Sequence, residues 1–179
     1  MEISSRNEFL HLNVGCGKYV LDGWFNIDIQ ASEKSYRQPD MLAPANKIPL
    51  PDHCAATVQA VHVIEHFYRW EVDSVLDEWK RLLKRNGMLI LELPNLLKCC
   101  ENILSGKKAS KHPDQLGMWG LYGDPGQKDP YMTHRWGWTP ATLTELLLSH
   151  GFSQIQEEET VYHPVGRKSR DMRLTGVLQ

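Results

Sequence analysis

A glycine pair and an acidic residue near the start of the chain form the pattern best suited to chemistry. Gly15 and Gly17 flank Cys16, and Asp28 ends the next apolar stretch. Glycine lets the main chain approach a ligand closely, and a carboxylate in such a position accepts hydrogen bonds from ribose hydroxyls. A dinucleotide site would need a third glycine and an acid about 20 residues further on. The spacing therefore predicts a site for a nucleoside without phosphates, and the acid suits a positively charged sulfonium group.

Two short stretches are expected to position these residues. Residues 9–14 and 24–29 have the character of strands, and each ends at the candidate residues. Adjacent strand ends lie roughly 5 Å apart in a parallel sheet, so Asp28 would face the glycine turn. Each feature alone also has a simpler interpretation as an ordinary turn. Prolines in residues 31–52 then exclude a regular helix and allow only a short strand around Asp40–Leu42.

The middle of the chain predicts a strand, a helix and a second strand. Residues 55–64 form an apolar run typical of a central strand. Residues 71–85 place apolar side chains at helical spacing, and Asn86-Gly87 predicts a left-handed stop before a buried strand over 88–93. A strand, helix and strand in succession imply two parallel strands.

The C-terminal part predicts two helices and a final pair of strands. A helix is expected over 96–104, followed by a glycine- and proline-rich excursion over 105–130 that is too long for a simple connector. Thr139-Pro140 is typical of a helix start, and Gly151 ends that helix. The last strands are expected near residues 152–157 and 173–178.

Several motifs together resemble those of class I S-adenosylmethionine (SAM)-dependent methyltransferases. They also occur in the expected order, and the resemblance is strongest to the compact group described as predicted SAM-dependent methyltransferases. The likeness extends from about residue 10 to residue 152. The motifs that carry it are Leu12–Gly17, Gly23–Asp28, Asp40–Leu42, Ile48–Asp52, Val63–His66 and Trp79–Leu89.

The resemblance implies a Rossmann-like methyltransferase fold. This is an α/β fold with a three-layer, doubly wound, mostly parallel sheet, an antiparallel C-terminal strand and reduced N-terminal helices. We expect one domain over residues 1–179, with residues 105–138 as a lid. Tyr19 stands where the class usually has its third glycine.

The resemblance also implies SAM as the cofactor and a set of residues that bind it. The main chain around Gly15 would contact the methionine part, Asp28 would hold the ribose hydroxyls, and Asp40 with the Met41 backbone would read the adenine. The side of the cofactor opposite the glycine turn would face the end of the central strand. The full predicted set is Asn13, Gly15, Cys16, Gly17, Asp28, Ile29, Asp40, Met41, His62, Val63 and Ile64.

Two histidines are candidates for chemistry on the methyl acceptor. His134 lies in the aromatic and polar segment Thr133–Trp138, which in this fold would face the cofactor, and a neutral imidazole near pH 7 suits proton transfer. Its simpler role is a hydrogen bond that pins the loop. His66 is either a base or a cap for the following helix, with Glu65 as its partner.

The composition of the chain argues against several classes of binding partner. The net charge of −2 gives no basic field for nucleic acid, and no apolar run approaches the roughly 20 residues that span a bilayer. The N-terminus lacks the pattern of a secretory signal, which predicts a cytoplasmic protein with reduced thiols. The vicinal pair Cys99-Cys100 has no matching Cys/His pair, so no metal site is predicted.

The sequence therefore predicts methyl transfer from SAM to an O- or N-nucleophile of a small molecule or sugar. A SAM-binding module without catalysis is a second hypothesis, since no separate substrate domain is visible. An NAD-dependent oxidoreductase is a third, disfavoured by the missing glycine and the early acid. The acceptor and the oligomeric state stay open.

Overall fold

A computed structural model describes residues 9–31, 35–108, 116–162 and 169–179. Seven strands lie in these ranges: β1 (Leu10–Val14), β2 (Phe25–Asp28), β3 (Met41–Leu42), β4 (Ala55–Val61), β5 (Leu83–Pro94), β6 (Phe152–Glu158) and β7 (Asp171–Leu178). The α-helices there are α1 (Val72–Leu82), α2 (Leu96–Leu104), α3 (Leu116–Tyr122) and α4 (Pro140–Ser149). Short 3₁₀ turns span Ile64–His66 and Pro130–Met132.

The strands form one mixed sheet in the order β3-β2-β1-β4-β5-β7-β6. The first five are parallel, whereas β7 runs antiparallel to both β5 and β6. The α/β fold with a mostly parallel sheet and antiparallel C-terminal strands is thus confirmed. Residues 15–24 form turns between β1 and β2, as the expectation of reduced N-terminal helices requires.

The two faces of the sheet differ in chemistry. One face packs against α1 and α4 in an apolar core that includes Leu12, Leu91 and Trp79. Since side chains alternate along a strand, the residues between these core positions point to the other face. They include the buried polar residues Asn13, Asn26, Gln59, Glu92 and Arg173.

Helix α1 is shorter than the expected span of 71–85. It ends at Leu82, and Leu83 already pairs with Ala55 as part of β5. The predicted left-handed residue is present, since Asn86 has φ of 60°, but it bends the start of β5 instead of ending the helix. Tertiary pairing with β4 therefore overrides the helical spacing of the last residues.

Two further expectations need correction. Strand β4 stops at Val61 instead of continuing to Ile64, because His62 has φ of 54° and a 3₁₀ turn follows. Helix α3 lies inside the stretch expected to be loop. Trp70 is 75% exposed, whereas Trp79 is fully buried.

The helices at 96–104 and after Thr139 are confirmed. Asn95 caps α2, its side chain accepting the N–H of Leu97 at 3.0 Å. The side chain of Thr139 caps α4 in the same way, accepting the N–H of Thr142 at 3.1 Å. Among the described residues, no helix is long and apolar enough to cross a membrane.

Candidate functional site

The glycine turn after β1 has a backbone that other residues cannot adopt easily. Gly15 has φ of 66° and Gly17 has φ of 51°, both in the left-handed region. A Cβ on Gly15 would lie 2.3 Å from Cγ2 of Val63, so the turn packs directly against the residues that follow β4. A Cβ on Gly17 would meet nothing within 4 Å. Gly15 is thus required by both conformation and space.

Asp28 holds this turn in place. Its Oδ2 accepts the main-chain N–H of Gly17 at 2.7 Å, and its Oδ1 accepts the N–H of Gln30 at 3.1 Å. An ionised carboxylate has about four acceptor positions, so two stay available for other donors. The end of β2 and the glycine turn therefore lie together, as the strand spacing predicted.

A network of buried amides supports the turn from beneath. The Asn13 side chain donates to the Tyr19 carbonyl and to Oδ1 of Asn26, both at 2.9 Å. Asn26 in turn donates its main-chain N–H to Oδ2 of Asp40 at 2.8 Å. Asp40 thus holds Asn26 in place.

The thiol of Cys16, in the glycine turn, stays protonated. Burial, and to a smaller extent the negative charge of Asp28, raises its pKa to about 12.

A cleft of about 670 Å³ opens beside the turn, within the usual size range for small-molecule sites. Most of the predicted site residues line it, including both histidine candidates. Those that line it are Asn13, Gly15, Cys16, Gly17, Asp28, Ile29, His62, Val63, His66 and His134. The lining does not include Asp40, Met41 or Ile64; residues 43–46 line it instead.

A buried ionic network adjoins the part of the cleft that His62 and Val63 line. Nδ1 of His62 lies 2.8 Å from Oε1 of Glu65, and its Nε2 lies 3.4 Å from Oδ2 of Asp171. Burial alone would lower the pKa of His62, but its contacts with Asp171 and Glu65 outweigh burial and raise the pKa to about 9. Burial likewise opposes ionisation of Glu65, yet His62 lowers its pKa to about 2. His62 is therefore a cation between two carboxylates.

His134 and His66 lie beside Glu65. His134 Nε2 is 4.0 Å from Oε1 of Glu65, and the two imidazole rings make an edge contact with centroids 4.8 Å apart. Burial lowers the pKa of His134, which keeps the ring neutral near pH 7. His66 does not cap α1: its Nδ1 lies 3.2 Å from the Thr133 carbonyl.

Sequence reasoning missed Tyr162 and the residue that holds it. Tyr162 lines the cleft and packs edge-on against Tyr19, with ring centroids 5.9 Å apart. Glu92, fully buried in β5, accepts the main-chain N–H groups of Val161 and Tyr162, both at 3.0 Å, and also contacts Arg173. A single acid inside the apolar run 88–93 was the signal that could have revealed this anchor.

Comparison with known proteins agrees with this geometry. Residues 12–91 match a family model described as a methyltransferase domain. The match runs from β1 through the glycine turn and Asp28 to β5. No curated protein matches the sequence.

Solved structures share the fold at low identity. A SAM-dependent methyltransferase from Methanosarcina mazei is 15% identical with a TM-score of 0.64, and the match covers 97% of this chain and 93% of that one. One from Archaeoglobus fulgidus is also 15% identical, with a TM-score of 0.61 over 94% of this chain and 86% of that one. A Burkholderia thailandensis 1,6-didemethyltoxoflavin-N1-methyltransferase, solved with that substrate and S-adenosylhomocysteine, is 11% identical, with a TM-score of 0.60 over 95% and 71%.

The match to a methyltransferase domain covers 80 of the 179 residues, and together with the strand order and the solved structures it supports a SAM-dependent methyltransferase enzyme. S-adenosylmethionine is the cofactor that defines this class of enzyme.

Proposed function

We propose that the protein transfers the methyl group of SAM to a hydroxyl or amine of a small molecule or sugar. The observation that carries this proposal is that the Asp28-braced glycine turn and the neutral imidazole of His134 line one and the same cleft. Methyl transfer is an in-line displacement, so its rate depends chiefly on holding the acceptor against the sulfonium in a fixed geometry. We also propose that residues 1–179 act as one domain.

The cofactor would occupy the wall formed by the glycine turn and Asp28. The free acceptor positions of Asp28 suit the two ribose hydroxyls, and the main chain around Asn13, Gly15 and Gly17 suits the methionine part. The protonated state of Cys16 also fits, because a thiolate beside a sulfonium would compete for the methyl group.

The adenine would lie beyond the end of β2. We propose that residues 43–46 form its immediate surroundings, since they line the cleft, and that Asp40 acts through Asn26. The main-chain N–H of Ala43 donates to the Asp28 carbonyl at 2.8 Å, which ties this loop to the ribose position. Val63 and Ile64 would border the cofactor from the central strand, with Val63 in direct contact with Gly15.

The acceptor would approach from the wall of His66 and His134. Nδ1 of His134 lies 2.8 Å from the Gly120 carbonyl, which only accepts, so the lone pair of the neutral ring is on Nε2. That nitrogen can accept a hydrogen bond or a proton from a hydroxyl or amine. Trp119 and Tyr131 also line the cleft, which supports acceptor recognition by the region 105–138. The Burkholderia relative, solved with a small substrate, is a precedent for a small acceptor.

The proposal is tested in two stages. Titration calorimetry with SAM, S-adenosylhomocysteine and NAD should show binding of the two adenosyl compounds and none of NAD; binding of NAD alone would overturn the cofactor assignment. Formation of S-adenosylhomocysteine is then followed with a panel of phenols, imidazoles, aliphatic amines and hexoses. Turnover with one of these classes is the expected result. SAM binding without turnover on any of them would favour the module without catalysis.

A further inference from the structure

Three side chains of the acceptor wall converge on one point. Glu65 and His66 are neighbours in the 3₁₀ turn after β4, and His134 reaches them from a segment almost seventy positions later in the chain. One oxygen or nitrogen atom from each of the three lies within 4.8 Å of the others. The two segments are joined firmly, since the N–H of Arg135 donates to the Glu65 carbonyl at 2.7 Å.

Both imidazoles face a backbone carbonyl through Nδ1. The Nδ1 of His66 is 3.2 Å from the Thr133 carbonyl, and that of His134 is 2.8 Å from the Gly120 carbonyl. Carbonyl oxygens only accept hydrogen bonds, so Nδ1 carries a hydrogen in each ring and Nε2 is the nitrogen that is left to ligate a metal. A backbone carbonyl that fixes the tautomer in this way is the usual support of a histidine that ligates a metal.

The carboxylate of Glu65 has one oxygen without a partner. Only 2% of the side chain is exposed; Oε1 contacts His62 at 2.8 Å, whereas Oε2 has no hydrogen-bond partner among the residues that the structure describes. Buried carboxylate oxygens are almost always satisfied, because an unpaired one is costly. This oxygen therefore points to a ligand that the protein alone does not supply.

We propose that Glu65, His66 and His134 bind one divalent metal ion of the kind represented by zinc and iron(II). Two imidazoles and one carboxylate are ligands that these ions accept, whereas calcium and magnesium prefer oxygen alone. Three protein ligands leave positions open toward the cleft. His62 would act as a positioning residue, because it holds Glu65 through Oε1 and leaves Oε2 free.

The geometry needs only a small closure. Ligand atoms around a tetrahedral zinc lie about 3.4 Å apart, and one ligand atom from each of the three side chains lies within 4.8 Å of the others, so each separation would shorten by at most about 1.4 Å. The consequence for chemistry rests on the proposed function: with the ion bound, the Nε2 lone pair of His134 would ligate the ion and the acceptor would bind the ion instead of the imidazole. A hydroxyl acceptor bound in this way would lose its proton more readily than one that only hydrogen-bonds to imidazole.

The test is metal binding by the full-length protein after dialysis against a chelator. Calorimetry with zinc chloride and absorbance with cobalt(II) chloride should each give one equivalent, and cobalt should develop a visible band. Glu65→Gln and His134→Ala should each weaken binding at least tenfold, in line with the loss of one of three ligands. His66→Ala serves as a further variant if either of these fails to fold by circular dichroism.

Two controls exclude binding elsewhere. His150 is a matched control, because its Nδ1 also faces a carbonyl, that of Leu146 at 2.9 Å, and its Nε2 lies 3.5 Å from Asp73. His150→Ala and Cys100→Ser should leave the affinity unchanged. Absence of binding, or binding that survives the Glu65, His66 and His134 variants, would overturn the metal site. SAM affinity measured on the same samples keeps this result separate from that of the proposed function.

Discussion

The two walls of the cleft are built in different ways. The wall with the glycine turn comes from one contiguous stretch, in which Gly15, Gly17 and Asp28 are joined by main-chain contacts. The other wall combines His62 and His66, just after β4, with His134, which lies 68 positions after His66 in the chain. The first wall offers mainly main-chain groups and one acid, and the second offers a dense set of ionisable side chains. Binding of a fixed cofactor and choice of acceptor are thus physically separable.

The largest expected effect tests the acceptor wall. His134→Ala should lower turnover by roughly 100- to 10,000-fold, since it removes the lone pair that would face the acceptor. SAM affinity should change little, because the contacts of His134 are with Gly120 and Glu65 and not with the glycine turn. Steady-state rates and calorimetry on the same preparation measure both. A large loss of SAM affinity would instead place His134 in the cofactor wall.

The second prediction concerns the stability of the glycine turn in the cofactor wall. Gly15→Ala should lower the free energy of unfolding by about 2–5 kcal/mol, combining left-handed strain with a clash against Val63. Gly17→Ala is the matched control: it has a similar φ but open space, and should cost about 1–2 kcal/mol. Urea denaturation compares the two. Equal losses would mean that the contact with Val63 does not matter.

The third prediction concerns the acid that braces the turn. Asp28→Ala should weaken SAM binding by about 1.5–3 kcal/mol, or roughly 10- to 150-fold, the range for hydrogen bonds to a charged group. Metal affinity at the opposite wall should not change. Calorimetry with SAM and then with zinc distinguishes the two walls in one variant. Unchanged SAM affinity in a folded variant would remove the ribose role from Asp28.

The difference between the walls also explains what the sequence could predict. The glycine turn and Asp28 are close in the chain, so strand spacing alone placed them together. The contact of His66 and His134 depends on how a distant segment hydrogen-bonds to the Glu65 carbonyl, which no local pattern encodes. The same limit applies to the end of α1. Residues 83–85 have helical spacing in the sequence, but they belong to β5, where Leu83 pairs with Ala55.

Glu92 and Asp40 show a second limit. Glu92 was visible as an acid in an apolar strand, but its partners are main-chain N–H groups about seventy positions away. The motif predicts that Asp40 touches the cofactor, and the structure adds that its Oδ2 accepts the main-chain N–H of Asn26. A sequence motif thus indicates that a residue belongs to the functional site, but it does not indicate which residues its side chain contacts.

The reversed direction of β7 has a consequence for how such a cleft can diversify. Its first residue, Asp171, pairs with Pro94, the last residue of β5, so the start of β7 lies where the parallel strands end. Arg170, just before it, lines the cleft and binds Asp171. Substitution of Arg170 would therefore change the lining of the cleft at a position just outside β7. In evolution or in protein engineering, changes at this position allow a different acceptor to be accommodated while the glycine turn and Asp28, which would bind the cofactor, stay the same.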